Sequence, residues 1–168
     1  LKNAHIVTEY EDFLGELAIQ DGRIAAIGAP DCGMTADAVL DCKGRYVLPG
    51  GVDAHVHCND PGPVDRAAFP SATTAAAAGG VTTLVDMPID TIPPTLNAAA
   101  LEQKRQTAQA EAVIDFALWG GLVTDNVEQM PGLHQAGAAG FKAFMVYAGD
   151  DFPAVTPEVL LRGMRVAA

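Results

Sequence analysis

From Gly50 onward the chain repeats one grammar: a short apolar run, a turn-rich loop, then a helix-length segment. Strands that are apolar at nearly every position are covered on both faces, which predicts a parallel sheet with helices packed on it. The first strand is expected over Gly51 to His57, with a helix from about Phe69 to Ala78 ended by Gly79-Gly80. A second strand spans Val81 to Met87, and its helix runs from about Ala98 to Ala110 behind Asn97 as N-cap. The third strand, Val113 to Trp119, leads to a short helix ending near Gly137. The fourth, Phe141 to Val146, leads to a helix that Thr156 caps and Pro157 begins. Four such units are half of a (β/α)8 barrel. An open doubly wound sheet is the competing architecture, although no Gly-rich phosphate turn follows the first strand.

Residues 1–48 read differently. Short apolar runs at Ala4 to Thr8, Leu14 to Gln20, Arg23 to Ile27 and Ala38 to Leu40 are separated by turns, and Asp21-Gly22 is a strong hairpin signal. The expected organisation is therefore part of a small β-sandwich domain over 1–48, followed by the first four βα units of a barrel over 49–168. The chain starts at Leu1 without a methionine and stops at Ala168 inside a helix, so both ends are expected to be cut.

Composition removes several function classes. A formal net charge of -11, with no cluster of Lys and Arg, argues against nucleic acid as a partner and weakly against an anionic substrate. No apolar run reaches the roughly 18 residues of a membrane span, and no signal segment opens the chain, so a cytoplasmic protein is the simplest expectation. The 3 cysteines, Cys32, Cys42 and Cys58, lack Cys-x-x-Cys spacing and are expected as free thiols.

Chemistry concentrates in Asp53-Ala54-His55-Val56-His57. Side chains alternate along a strand, so both imidazoles face the same way, roughly 7 Å apart. Such a pair is either structural or half of a zinc-type coordination shell. Cys58-Asn59-Asp60-Pro61-Gly62 then opens a loop, placing the pair at the strand end where barrels keep their active sites. Asp53, deeper on the same face, is either an ordinary paired acid or a group that orients a ligand. Lys142 is the second anomaly, because Gly140-Phe141-Lys142-Ala143-Phe144-Met145-Val146 surrounds it with apolar residues and Gly. A buried lysine needs a partner. The plain solutions are a salt bridge or a side chain that snorkels to the rim. The sharper one is a neutral amine that has taken up CO2 as a carbamate able to bridge two metal ions.

Taken together, these residues resemble the cyclic amidohydrolases of the amidohydrolase superfamily, most closely the allantoinase group. The resemblance rests on Pro49-Gly50-Gly51-Val52-Asp53-Ala54-His55-Val56-His57, on Ala78-Gly79-Gly80-Val81-Thr82-Thr83, on Asp86-Met87-Pro88 and on Gly140-Phe141-Lys142. The subgroup is indicated by Asn59, by Ile92-Pro93-Pro94-Thr95 and by Trp119-Gly120-Gly121.

The resemblance implies that His55, His57 and a carboxylated Lys142 bind two divalent metal ions, zinc by preference with cobalt or manganese as substitutes. It also implies two further histidines and a general-base aspartate on later strands, so no catalytic base is expected within this chain. Asn59 and Asp90 are the implied substrate contacts. The implied reaction is ring-opening hydrolysis of a cyclic amide, allantoin to allantoate, by a homo-oligomer, a tetramer by family resemblance. Dihydroorotases carry an arginine where this sequence has Asn59, with Arg66 close by. Dihydroorotase, hydantoinase or dihydropyrimidinase activity, and a non-catalytic scaffold on the same fold, are the alternatives. His5 and His134 match no family position and are expected as structural or surface residues.

Overall fold

The computed structural model describes residues 1–62 and 68–168. Arg66 lies outside the described residues. Contacts divide the chain into two units, Leu1–Pro49 and Gly50–Ala168.

The first unit is built from β1 (Ala4–Val7), β2 (Asp12–Gln20), β3 (Arg23–Gly28) and β4 (Tyr46–Val47), ordered β3-β2-β1-β4 in one sheet. The unit is thus a single four-stranded layer. Asp21 and Gly22 turn β2 into β3 with φ of 51° and 72°, the doubly positive pair that a primed two-residue turn demands. The apolar run at Ala38 to Leu40 forms no strand. Lys2 N–H donates to Leu40 O and Cys42 N–H to Lys2 O, both at 2.8 Å, in an isolated bridge, and Tyr46–Val47 pairs with β1 in parallel. Ala4, Ile6, Leu17 and Cys42 form the core of this unit.

The second unit carries the strand and helix series. β5 (Gly51–Val56), β6 (Val81–Asp86) and β7 (Asp115–Leu118) form a parallel sheet in that order, and β8 (Gly120–Gly121) pairs in parallel with β9 (Phe141–Lys142). The helices are α1 (Phe69–Ala78), α2 (Ala98–Glu111), α3 (Met130–Gln135), entered through a 3-10 turn at Val127–Gln129, and α4 (Pro157–Ala167). Local chemistry sets their ends. Gly79 and Gly80, the latter at φ 83°, stop α1. Asn97 Oδ1 accepts the Ala100 N–H at 3.0 Å to start α2, and Thr156 Oγ1 accepts the Val159 N–H at 3.3 Å to start α4. Among the described residues no helix is long and apolar enough to cross a membrane.

Three strands are shorter than their apolar runs predict, for one reason: the ladder stops where another acceptor or donor competes. The last ladder bond beyond β5 runs from Met87 N–H to Val56 O at 2.8 Å, so His57 lies just past the strand. β7 ends at Leu118: Trp119 N–H still donates to Asp86 O on β6, but Gly120 N–H turns to Gly140 O beside β9, both at 2.9 Å. β9 ends at Lys142, because Phe144 O accepts from Val155 N–H at 2.7 Å in its own following loop. Phe69, Leu84, Leu101, Ala108, Leu118 and Leu133 pack into one core between sheet and helices. Fully burying a side chain such as Leu84 contributes about 1.5–3 kcal/mol.

Candidate metal centre

The sheet brings together residues far apart in sequence. His55 leaves β5, and its Nε2 lies 3.3 Å from Lys142 Nζ on β9, although the two are separated by 87 positions. The His55 and His57 rings stand 5.4 Å apart between centroids, tilted by 36°. Lys142 Nζ also sits 4.7 Å from the centre of the Phe144 ring. Desolvation pushes the Lys142 ammonium below the ordinary lysine range, and the charge of Asp90 opposes that only in part. Among the described residues Lys142 makes no ion pair, and its side chain is only half-buried, so a chain that reaches toward the rim remains compatible with its placement.

Asp90, in the loop after β6, lies against His57, with Oδ2 2.9 Å from Nδ1. That Nδ1 is shut off from solvent and has no well-aligned hydrogen bond. A carboxylate on one imidazole nitrogen leaves the other free to bind a metal, the usual arrangement around ligating histidines. Asp53 turns back onto its own strand, where Oδ1 accepts the His55 N–H at 3.1 Å. Asn59 and Asp90 both adopt the left-handed region, at φ 48° and 66°. Asn and Asp tolerate that conformation, so each residue type has a backbone reason to be there. Within the first unit, His5 Nε2 is 2.8 Å from Asp12 Oδ1 and its ring stacks on Tyr46.

A buried polar network that sequence reasoning overlooked lies directly behind the histidines. Asp86 at the end of β6 and Lys104 on α2 form a fully buried ion pair. Asp86 Oδ1 accepts the Cys58 N–H at 2.7 Å, and Lys104 Nζ donates to Met87 O at 2.6 Å. The pair therefore ties down the residue that follows His57. A signal for it existed: α2 buries Ala100, Leu101, Lys104 and Ala108, so Lys104 falls on the helix's apolar stripe. Cys58 points into the core, where burial, reinforced by Asp86, pushes its thiol upward, and Cys32 and Cys42 are likewise free.

The donor set fits a divalent metal, but as part of a shell. Among the described residues no three His, Cys, Asp or Glu side chains gather as a cage. The donors that converge are two imidazoles and an amine within hydrogen-bonding reach of one of them.

A model described as the amidohydrolase family matches residues 46–167. The chain belongs to the amidohydrolase family. An allantoinase from Streptomyces avermitilis is 44% identical over 166 residues, which is 98% of this chain and 37% of that relative. One from Bacillus velezensis is 39% identical over 169 residues, 100% of this chain and 37% of the relative. Among solved structures, an L-hydantoinase (dihydropyrimidinase) from Arthrobacter aurescens superposes with a TM-score of 0.93 at 35% identity, covering 98% of this chain and 37% of that one. A D-hydantoinase from Bacillus sp. AR9 gives 0.80 at 28% identity, covering 98% and 37%. The chain thus spans a little over a third of these relatives' length. Its strand and helix units are those of an amidohydrolase (β/α)8 barrel, in the order anticipated from sequence.

Proposed function

We propose that the full-length protein opens the ring of a cyclic amide, allantoin to allantoate, at a dinuclear metal centre to which this chain contributes His55, His57 and Lys142. The observation that carries this reading is the 3.3 Å approach of Lys142 Nζ to His55 Nε2, which joins the first and fourth barrel units in one cluster. The lowered basicity of Lys142 enlarges its neutral fraction. A neutral amine adds CO2 to form a new C–N bond and releases one proton, giving a carbamate with two oxygens where the free amine has one nitrogen. When bound, the divalent ions polarise an amide carbonyl and acidify water toward neutrality.

The residues of this chain then have distinct tasks. Asp90 holds the His57 ring by its Nδ1, and Asp53 holds the His55 peptide. Asn59, a neutral amide at the mouth of the site, suits a ureido or ring carbonyl better than a carboxylate, which calls for a charged fork. In the net reaction one water is consumed, the ring C–N bond breaks, the carbonyl carbon becomes a carboxylate, the leaving nitrogen takes one of the water's protons and the other is released to solvent. By family resemblance, an aspartate on a later strand moves that proton, and two further histidines complete the metal shell. The same resemblance implies a tetramer and a part in purine catabolism, and the cytoplasmic location expected from sequence accords with it.

Identity of 39–44% to allantoinases favours allantoin, while the TM-score of 0.93 to an L-hydantoinase keeps 5-substituted hydantoins as the second reading. Metal analysis of the full-length protein, with turnover of allantoin, hydantoins, dihydrouracil and dihydroorotate, decides between them. Allantoin is expected to show the highest kcat/KM, and Lys142→Ala to lose at least one metal and most activity. Absence of bound metal and of turnover after zinc, cobalt or manganese is added overturns the hydrolase reading; unchanged metal content in Lys142→Ala overturns the carbamate.

A further inference from the structure

Trp119 sits in the gap between β7 and β8, and its side chain touches both Ala54, next to His55, and Gly140, two residues before Lys142. The register of β5 against β6 breaks between Asp53 and Val56, which frees backbone groups around Ala54 and His55 from the ladder. Side chains take them up instead. Asp53 Oδ1 accepts the His55 N–H, and Trp119 Nε1–H donates to Ala54 O at 3.0 Å across 65 positions of sequence. The same indole lies on Gly140, where any Cβ would collide with ring atoms Cζ3 and Cε3. The backbone repeats the connection, since Trp119 N–H donates to Asp86 O and Gly120 N–H to Gly140 O, both at 2.9 Å.

We infer that Trp119 is a positioning residue that sets the distance between the His55 peptide and the strand bearing Lys142. This deepens, and rests on, the reading of His55, His57 and Lys142 as metal ligands. An indole is rigid and planar and carries a single donor at one edge. Its N–H holds the carbonyl beside His55, while its face seats on a glycine two residues before Lys142. One side chain is thereby clamped between the two ligand-bearing strands, and Gly140 is glycine because the ring occupies the volume a Cβ needs.

The test uses the full-length protein with Trp119→Phe, which keeps a ring and removes the N–H, and Gly140→Ala, which pushes the ring off its seat. Metal affinity is read by titration with zinc and by the visible spectrum of the cobalt form, and folding by circular dichroism. In metal-free crystals the readout is the separation of His55 Nε2 and Lys142 Nζ. Both variants are expected to fold, to lose about 10- to 100-fold in metal affinity, to change the cobalt spectrum, and to move that separation out of hydrogen-bonding range. Unchanged affinity, spectrum and separation, even with a lowered melting temperature, overturn the spacer role. If the wild-type protein takes up no divalent metal, the ligand reading fails by itself. The metal-free separation still upholds the spacer if it widens and overturns it if it does not.

Discussion

Asp90 is exposed in a loop, yet its carboxylate lies 2.9 Å from a histidine nitrogen that is closed to solvent. A carboxylate at that distance bears on the imidazole through its charge and on how the ring is turned. In Asp90→Asn the amide can still point at the ring but without negative charge. Metal affinity of the full-length protein is expected to fall by about 10-fold or more, while KM for the preferred cyclic amide changes little. A large rise in KM with unchanged metal affinity would show instead that Asp90 meets substrate. The spacing between His57 and Asp90 could not reveal this contact, because it depends on how two loops from neighbouring strands return toward each other.

At the scale of elements, the pair Asp86 and Lys104 pins α2 to the end of β6 and, through the Cys58 peptide, to the loop after β5. Removing one partner of a buried pair leaves an uncompensated charge in a low-dielectric interior. Lys104→Met is therefore expected to destabilise the protein by about 3–5 kcal/mol in urea unfolding, and a double change with Asp86→Asn to restore part of that loss. A single-variant loss near zero would mean that water reaches the pair. The helix ends were legible in sequence because caps are local: Gly79-Gly80, Asn97 and Thr156 each act within a few residues of themselves. The strand ends were less legible. Ala143 to Val146 are as apolar or β-compatible as their neighbours, but Phe144 O accepts from Val155 N–H, and just past Trp119 the Gly120 N–H turns to Gly140 O.

At the scale of the whole molecule, the two units rest on different interactions. The barrel unit packs several apolar clusters, whereas the first unit buries a smaller one with Glu16 beside it. Burial disfavours the charged form of Glu16, but hydrogen bonds from Asp31 N–H and Cys32 Sγ, with Lys2 nearby, outweigh it and hold the carboxyl below its usual range. A depressed acid stabilises the fold above its unfolded pKa of about 4.3, and that stabilisation is lost as pH falls through the folded value. Opening free energies of β2 and β3 amides, from hydrogen exchange, are expected to drop more steeply in wild type than in Glu16→Gln between about pH 5 and about pH 3. Parallel curves would remove Glu16 from the acid response.

Sequence by itself determined the alternation of strands and helices from Gly50 onward, the hairpin at Asp21-Gly22, the helix caps, and the presence of two same-facing imidazoles and an out-of-place lysine. These follow from side-chain periodicity and from backbone preferences that act over a few residues. Only the tertiary structure decided that Lys142 meets His55, that Asp90 meets His57, that Lys104 is buried on Asp86, and that Trp119 bridges Ala54 and Gly140. Each of those contacts depends on the register and spacing of neighbouring parallel strands, which arise when the sheet closes around its core and which no local stretch of chain encodes.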